Sequence, residues 1–253
     1  MTGVADHEHG GGSDAPRGTV IHIRRLAFRW RPAMPRVIEL DALDIERGER
    51  VFIEGASGSG KSTLLSLFAG VVLPEDGEIR VLDRRLDGMG SVQRDHFRAD
   101  HIGFIFQMFN LIPYLSVVEN VILPCRFSRQ RRARALRGSQ SLETEALRLL
   151  GHLDMADPAL LRRPVTSLSV GQQQRVAAAR ALIGAPELLI ADEPTSSLDA
   201  GRREAFIRLL FDECRQAGST LVFVSHDAAL EPLFDRTVRL SSVNRAAAMQ
   251  AEV

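Results

Sequence analysis

The chain has 253 residues, 45% of them apolar, which can bury one large hydrophobic core or two modest ones. Its 32 basic and 32 acidic residues balance, so charge gives no reason to expect a nucleic-acid partner. No run approaches the roughly 18 apolar residues of a membrane span, and the beginning lacks the features of a signal peptide. Cys125 and Cys214 lie far apart and are expected to be reduced thiols.

Residues 1–18 are rich in Gly, His and Asp, and we expect them to form a disordered tail. Two histidines beside a flexible glycine run do not make a closed metal site. Residues 19–30 then alternate between apolar and polar side chains as a strand does, and residues 37–45 do so less regularly. A turn is expected at residues 47–48.

A strand is predicted at residues 50–54 and a helix at 62–70, with the pattern G-x-x-x-x-G-K-[ST] between them. Chance produces this pattern in about one chain in a hundred of this length. Lys61 is the only lysine of the chain. In such a loop, backbone N–H groups converge on phosphates and the lysine adds a compact positive charge, so we expect nucleotide binding. The loop residues are Gly55, Ala56, Ser57, Gly58, Ser59, Gly60, Lys61, Ser62 and Thr63.

The remainder of the chain reads as an α/β core interrupted by a helical insertion between about residues 117 and 163. The strands run through continuous apolar stretches, as expected of a parallel sheet covered by helices on both faces. The predicted strands are 77–82, 101–106, 187–191 and 220–224, and the predicted helices are 142–153, 171–183 and 200–216.

A P-loop alone is compatible with kinases, GTPases and motors, but two further runs narrow the class. They are Leu-Ser-Val-Gly-Gln-Gln-Gln-Arg at residues 168–175 and Asp-Glu-Pro-Thr-Ser-Ser-Leu-Asp at residues 192–199. With these motifs the sequence resembles the ABC ATPase family, specifically the ATP-binding subunits of ABC transporters, over about residues 19–240. The resemblance implies an ATP-hydrolysing enzyme with ATP and Mg²⁺ as cofactors.

The resemblance also implies the architecture. It is an α/β fold with a P-loop NTPase, RecA-like core around a mostly parallel central sheet, an N-terminal antiparallel β subdomain and an inserted helical subdomain. We expect the core at residues 19–106 and 164–240, the helical subdomain at 107–163, and a C-terminal tail at 241–253.

Asp192 and Glu193 follow four apolar residues that bury a central strand, so both lie at its carboxyl end, facing the P-loop. There Asp192 can hold Mg²⁺ through water, with Ser62 as a further ligand, and Glu193 can act as general base. The alternative is an exposed pair of acidic turn residues.

Two more side chains match the family's site. Gln107 corresponds to the glutamine that reaches the metal and the attacking water and links the site to the helical subdomain. His226 corresponds to the histidine that contacts the γ-phosphate. The alternatives are a structural glutamine at a strand end and a core histidine.

The run at residues 168–175 would place Ser169, Gly171 and Gln172 at a helix N-terminus, which is a ready anion site. By resemblance, this site serves the γ-phosphate bound by a second copy in a head-to-tail homodimer, and Asp199 lies at the same interface. Val170 departs from the glycine that is usual in the family at its position, and Ser197 stands where alanine is common.

An adenine-stacking aromatic is expected near the start of the domain. Trp30 aligns best with the family's position, and Phe28 is its competitor. Residues two apart on a strand share a face, so both could serve, and core packing is the alternative for either.

The segment at residues 107–120 resembles the subgroup that serves lipoprotein release and macrolide export with FtsX-like permeases. Its apolar residues lie where a permease would dock, or they are ordinary core. We therefore expect a cytoplasmic protein that reaches the inner face of the membrane only through an integral permease subunit. The alternative is a soluble mechanical ATPase in DNA repair or translation, but this length has no room for the insertions of those relatives.

An arginine run is the strongest local charge excess of the chain. It is expected to form a solvated face, with contact to anionic headgroups or an acidic permease surface as the alternative. Its members are Arg129, Arg131, Arg132, Arg134 and Arg137.

Overall fold

The structure, a computed structural model, describes residues 18–161, 163–196, 198 and 200–246. Within them the strands are β1 Thr19–Phe28, β2 Ile38–Glu46, β3 Arg50–Glu54, β4 Asp76–Val81, β5 Arg84–Arg85, β6 Ile102–Ile105, β7 Leu188–Asp192, β8 Thr220–Ser225 and β9 Arg236–Arg239. The α-helices are α1 Lys61–Phe68, α2 Ser91–His101, α3 Val117–Ile122, α4 Pro124–Phe127, α5 Arg129–Ala135, α6 Leu142–His152, α7 Pro158–Leu161, α8 Val170–Leu182, α9 Ala200–Ala217 and α10 Leu240–Val243.

A five-stranded parallel sheet, in the order β6-β7-β8-β3-β9, forms the centre of the fold. Its strands are apolar on both faces, and alternate residues enter two different cores. On β7, Leu189 and Ala191 pack towards α3, α6, α8 and α9, whereas Leu188 and Ile190 pack towards α1 and the second sheet. The parallel strands all end at one edge, where the P-loop begins after β3.

The second sheet is antiparallel, in the order β2-β1-β4-β5, and carries the N-terminal part of the chain. Its apolar face covers α1. Both sheets agree with the predicted α/β architecture and its antiparallel subdomain. The extent of β1 was predicted wrongly, because the strand ends at Phe28 and not at Trp30. A register irregularity follows Arg24, and Arg25 has a positive φ of 47°.

Between β6 and β7 the chain forms helices α3 to α8, as the sequence pattern indicated. Hydroxyl caps define where several of these helices begin. Ser116 caps α3 and accepts from the N–H of Glu119, while the Glu119 carboxylate accepts from Ser116 in return. Buried Asn120 then donates to the carbonyls of Ile112 and Leu115 and fixes the approach to α3.

The arginine run does not form one solvated face. Arg131 is 3% exposed, and it donates to the carbonyls of Ala181 and Ile183 at the end of α8 at 2.6 and 2.5 Å. Arg134 pairs with Glu187 at 2.9 Å. Free carbonyls at a helix C-terminus offset the desolvation of a guanidinium, so burial here needs no carboxylate. The remaining three arginines of the run are exposed.

No helix in the described part of the chain is long and apolar enough to cross a membrane.

Candidate functional site

The P-loop turns from β3 into α1 through glycines that the backbone geometry requires. Gly60 precedes α1 with φ 97°, and a Cβ there would lie 2.8 Å from Ile38 Cδ1 and 3.1 Å from the Val37 carbonyl oxygen. Gly58 has φ 80°, also a conformation that L side chains rarely adopt. The loop therefore lies directly against the start of β2, with the N-terminal end of α1 open to a ligand.

The Lys61 ammonium lies over the loop that precedes it. Its Nζ donates to the carbonyl oxygens of Gly55 at 2.6 Å and Ala56 at 2.9 Å. Both acceptors are neutral, so they orient the ammonium without cancelling its charge. An anionic group placed at the N-terminus of α1 would meet this positive charge together with the N–H groups of the loop.

Asp192 at the end of β7 faces the first turn of α1. Ser62 Oγ donates to Asp192 Oδ2 at 3.1 Å, so the two oxygens predicted to hold Mg²⁺ are neighbours. Burial raises the pKa of Asp192, the Glu193 charge adds to the effect, and the hydrogen bond from Ser62 opposes it. A hydroxyl–carboxylate pair of this kind suits a hard cation with oxygen ligands, so these residues fit Mg²⁺.

Glu193 is held in an unfavourable backbone conformation, with φ 47°, by a hydrogen bond from its N–H to the Val224 carbonyl at 3.0 Å. The residue is 8% exposed, and its carboxylate oxygens lie 2.8 and 2.9 Å from His226 Nδ1. When the carboxylate is ionised, Nδ1 carries the proton of that contact. A carboxylate that a histidine orients, on a residue with a strained backbone, makes Glu193 a candidate general base.

One cavity of about 610 Å³ brings these side chains together. The sequence-predicted residues along its wall are Trp30, Ser57, Gly58, Gly60, Lys61, Ser62, Thr63, Gln107, Asp192, Glu193 and His226. Gly55 and Ala56 are not among the residues of its wall and contact Lys61 through their carbonyls. Ser59 Oγ is buried with no hydrogen-bond partner among the described residues.

The model of the family described as ABC transporter matches residues 40–196. The chain belongs to the ABC transporter family.

Relatives from this family match most of the chain. The ABC transporter ATP-binding protein YbbA of Escherichia coli K12, described as uncharacterized, is 42% identical over 198 residues, covering 78% of this chain and 83% of its own. The lipoprotein-releasing system ATP-binding protein LolD of Porphyromonas gingivalis is 38% identical over 196 residues, covering 78% and 85%. The predicted resemblance to the lipoprotein-release subgroup is thereby confirmed.

A solved structure agrees with the fold. It is the dimeric post-hydrolysis state of the ATP-binding cassette MJ0796 bound to ADP and Pi, with a TM-score of 0.74 and 34% identity over 87% of this chain and 93% of that one. This member of the ABC family is accordingly an ATP-binding, ATP-hydrolysing cassette of a transporter.

Within this ABC cassette, the residues at the start of α8 lie away from the nucleotide cavity. Ser169, Gly171 and Gln172 line a second cavity of about 460 Å³, which shares no lining residue with the first among the described residues. Ser169 Oγ accepts from the Gln172 N–H at 3.3 Å, and Gln172 Oε1 accepts from the Ser169 N–H at 2.9 Å. Val170 is half exposed beside them. Asp199 and Ser197 lie outside the described residues.

The two aromatic candidates of the cassette differ sharply in exposure. Phe28 is 6% exposed and belongs to the core, whereas Trp30, beyond the end of β1, is 54% exposed and borders the nucleotide cavity. Their rings meet edge to face with centroids 5.1 Å apart. Phe28 therefore packs against Trp30 from the core, and of the two rings only that of Trp30 is exposed enough for stacking.

Sequence reasoning missed two residues that shape the site. Val37 lines the nucleotide cavity, and its carbonyl accepts from Asn244 Nδ2 at 2.9 Å. No local pattern marks an apolar residue before a strand as a cavity residue. Arg180 on α8 donates to carbonyls just after Gln107. A polar residue on the buried face of a predicted amphipathic helix is the signal that identifies it.

Proposed function

We propose that this cassette binds ATP·Mg²⁺, dimerises head to tail with a second copy, and drives a separate FtsX-like membrane permease in export or in lipoprotein or lipid extraction. One observation carries the proposal: the P-loop, Asp192, Glu193 and His226 share one cavity, while Ser169, Gly171 and Gln172 line another. Two separate half-sites in one chain become two complete sites when two chains associate in opposite directions.

In this proposal the loop from Gly55 to Thr63 holds the phosphates, and the exposed face of Trp30 stacks on the adenine. Ser62, Gln107 and Asp192 hold Mg²⁺. Bound there, Mg²⁺ supplies charge neutralisation on the phosphate oxygens.

Glu193 is the proposed general base, and His226 orients it. The contact of 2.8 Å between His226 Nδ1 and Glu193 Oε2 fixes the carboxylate, and His226 Nε2, when it also carries a proton, donates to the γ-phosphate. Glu193 takes the proton of the attacking water, which Gln107 helps to position. Catalysis is then mainly positioning and charge neutralisation.

The second copy completes the site. Ser169, Gly171 and Gln172 of one chain bind the γ-phosphate held by the other, and Asp199 belongs to the same interface. Ser169 and Gln172 are paired with each other in the single chain, so their hydrogen bonds rearrange when the phosphate arrives. Closure pulls on the permease through the segment after Gln107, and hydrolysis reopens the dimer.

The similarity to LolD supports the lipoprotein-release direction, since that relative is described as part of a lipoprotein-releasing system. The cassette itself then resides in the cytoplasm and meets the inner face of the membrane through its permease. We assign the core to residues 19–106 and 164–240 and the permease-facing helical subdomain to residues 107–163.

The test of catalysis and dimerisation is Glu193→Gln. We expect this variant to bind ATP, to accumulate as a dimer in size-exclusion chromatography with ATP and Mg²⁺, and to lose turnover by about 10²-fold or more. Glu204→Gln is the control, because Glu204 is an exposed residue of α9 that pairs with Arg208. Turnover like that of the wild type in Glu193→Gln would remove Glu193 from the role of base.

The test of the phosphate site is a pair of changes at Lys61. Lys61→Ala should lose nucleotide affinity in calorimetry, and Lys61→Arg should restore only part of it, because a planar guanidinium does not fit between phosphates as an ammonium does. Unchanged ATP binding by Lys61→Ala would contradict the assignment.

The test of the partner is affinity purification from native membranes, with identification of the integral subunit that co-purifies. We expect an integral membrane permease to co-purify with the cassette and to be separated from it by detergent. Recovery only with ribosomes or nucleic acid would favour a soluble mechanical ATPase.

A further inference from the structure

The segment immediately after Gln107 has an unfavourable backbone. Phe109 and Asn110 are consecutive residues with φ of 60° and 49°, and neither is glycine. Such a conformation persists only where the surroundings hold it in place. Gln107 borders the nucleotide cavity two residues earlier, so whatever holds this turn also fixes the backbone from which Gln107 projects.

Arg180 holds the carbonyl groups of this turn, whose Phe109 and Asn110 N–H groups donate to the carbonyls of Phe106 and Met108. Its Nη1 donates to the carbonyl oxygen of Asn110 at 2.6 Å, and its Nη2 donates to that of Phe109 at 2.5 Å. The residue is 9% exposed, and burial lowers the pKa of its guanidinium. A desolvated guanidinium with two carbonyl acceptors makes short, directional hydrogen bonds, which a flexible ammonium cannot reproduce.

Arg180 also belongs to the helix that carries the second cavity. Helix α8 runs from Val170 to Leu182 and is capped at its start by Ser169. At about 1.5 Å per residue, Arg180 lies roughly 16 Å along the axis from Ser169. Ser169 and Arg180 lie at opposite ends of one continuous helix, so a displacement at one end can be transmitted to the other.

We propose that Arg180 is a positioning residue for Gln107: it ties the turn after Gln107 to α8, so that the placement of Gln107 in the nucleotide cavity follows the placement of Ser169 on the same helix. The inference rests on the proposed function. It adds a path by which the γ-phosphate of the second copy, bound at Ser169, influences the nucleotide cavity of the chain that carries Ser169.

The first test uses hydrogen exchange of the full chain without nucleotide. Arg180→Met should accelerate amide exchange in residues 106–115, because the unfavourable turn loses both hydrogen bonds from the guanidinium and keeps only its local backbone bonds. Arg175→Met is the matched control, since Arg175 lies on the same helix and donates to the Leu153 carbonyl at 2.7 Å. It should accelerate exchange around residues 151–155 and leave residues 106–115 unchanged. Unchanged exchange of residues 106–115 in Arg180→Met would overturn the proposal.

The second test asks whether Arg180 acts through Gln107. Arg180→Met should lower kcat about tenfold with KM for ATP within about twofold, and Arg180→Lys should recover part of the loss. In a double-mutant cycle, Arg180→Met combined with Gln107→Ala should be no slower than Gln107→Ala alone. Additive losses would show that Arg180 acts elsewhere and would overturn the proposal.

A third readout does not depend on turnover. Trp30 is the only tryptophan and borders the nucleotide cavity, so its fluorescence reports ATP binding. The Mg²⁺ concentration that gives half of the ATP-induced change should rise by the same factor in Arg180→Met and in Gln107→Ala. If Arg180→Met does not fold, Arg180→Lys enters the same cycle. Failure of Glu193→Gln to trap a dimer would instead count against the proposed function and leave the exchange test intact.

Discussion

Replacing Gly60 by alanine tests whether the P-loop is shaped by steric contact or only by backbone conformation. The new Cβ at φ 97° would approach Ile38 Cδ1 to 2.8 Å and the backbone oxygen of Val37 to 3.1 Å. The Ile38 side chain can turn, but the Val37 carbonyl belongs to a backbone that Asn244 holds at 2.9 Å. Gly58→Ala separates the two effects, because Gly58 has φ 80° and a Cβ added there would meet no described atom within 4 Å.

Placing an L residue in this left-handed backbone conformation costs about 1–3 kcal/mol of folding free energy. The collision at Gly60 adds about 1–3 kcal/mol, as overpacking of a closed site does. We therefore expect Gly58→Ala to lose about 2 kcal/mol of stability and Gly60→Ala about 4 kcal/mol. For a chain of this size these correspond to roughly 5 and 10 °C in Tm.

The assay is thermal and urea unfolding without nucleotide, so that lost ligand binding does not enter the comparison. Gly138→Ala is the second control, because Gly138 has open space around it and no positive φ, and its stability should match the wild type or exceed it slightly. If Gly60→Ala and Gly58→Ala unfold together, the contact with Val37 does not shape the loop and the reasoning fails.

Three further outcomes are expected. Val170→Gly should leave the ATPase rate unchanged or raise it, because Val170 is half exposed at the start of α8, and a sharp fall would mean that its side chain is adapted to a partner surface. Cys125 and Cys214 should not react with a thiol reagent at about pH 8 until the protein unfolds, because both side chains are buried. Burial raises the pKa of both thiols, that of Cys214 to about 12. Rapid labelling of the folded chain would contradict this prediction. The hydrogen bond from Arg50 holds the pKa of Asp235 below its usual value, so this pair stabilises the fold above about pH 4 and the contribution disappears as pH falls through the lowered pKa. The measurement is the free energy of unfolding as a function of pH. Asp235→Asn should be less stable than the wild type by under about 1 kcal/mol near pH 7, and the two proteins should be equally stable in acid. A difference in stability that persists in acid would refute the linkage.

The sequence predicted the parts of the fold in which local pattern and tertiary context agree. Strand β3 was expected at residues 50–54 and occurs there, and β7 and β8 lie within one residue of the expected apolar runs. Apolar runs between turn signals are decisive because a central parallel strand is buried on both faces. Strand β9 and helix α2 were not predicted. Their stretches are polar, and contacts made elsewhere in the fold stabilise them.

In the candidate site, too, some residues were indicated by local sequence patterns and others were not. Loop spacing and the apolar run before Asp192 indicated the P-loop and the Asp192–Glu193 pair, whereas Trp30, Gln107 and His226 were assigned by resemblance to the family. All of them line the nucleotide cavity. Arg131 was expected in solvent because its neighbours in sequence are charged, and its burial depends on carbonyls some 50 residues away. The separation of Phe28 from Trp30 likewise depends on where β1 ends, beyond a register irregularity. A hydrogen-bond acceptor that is distant in sequence is not marked by any local sequence pattern, and neither is the residue at which a strand ends.

Lys61 has a consequence for the covalent chemistry of the whole protein. Apart from the α-amino group, its Nζ is the only primary amine in the chain, and it borders the nucleotide cavity. Reagents for acylation, reductive methylation or aldehyde addition therefore have no other lysine side chain to react with. Apart from reaction at the α-amino group, an amine-directed reagent can modify only Lys61, so the extent to which ATP protects Lys61 would report occupancy of the nucleotide cavity.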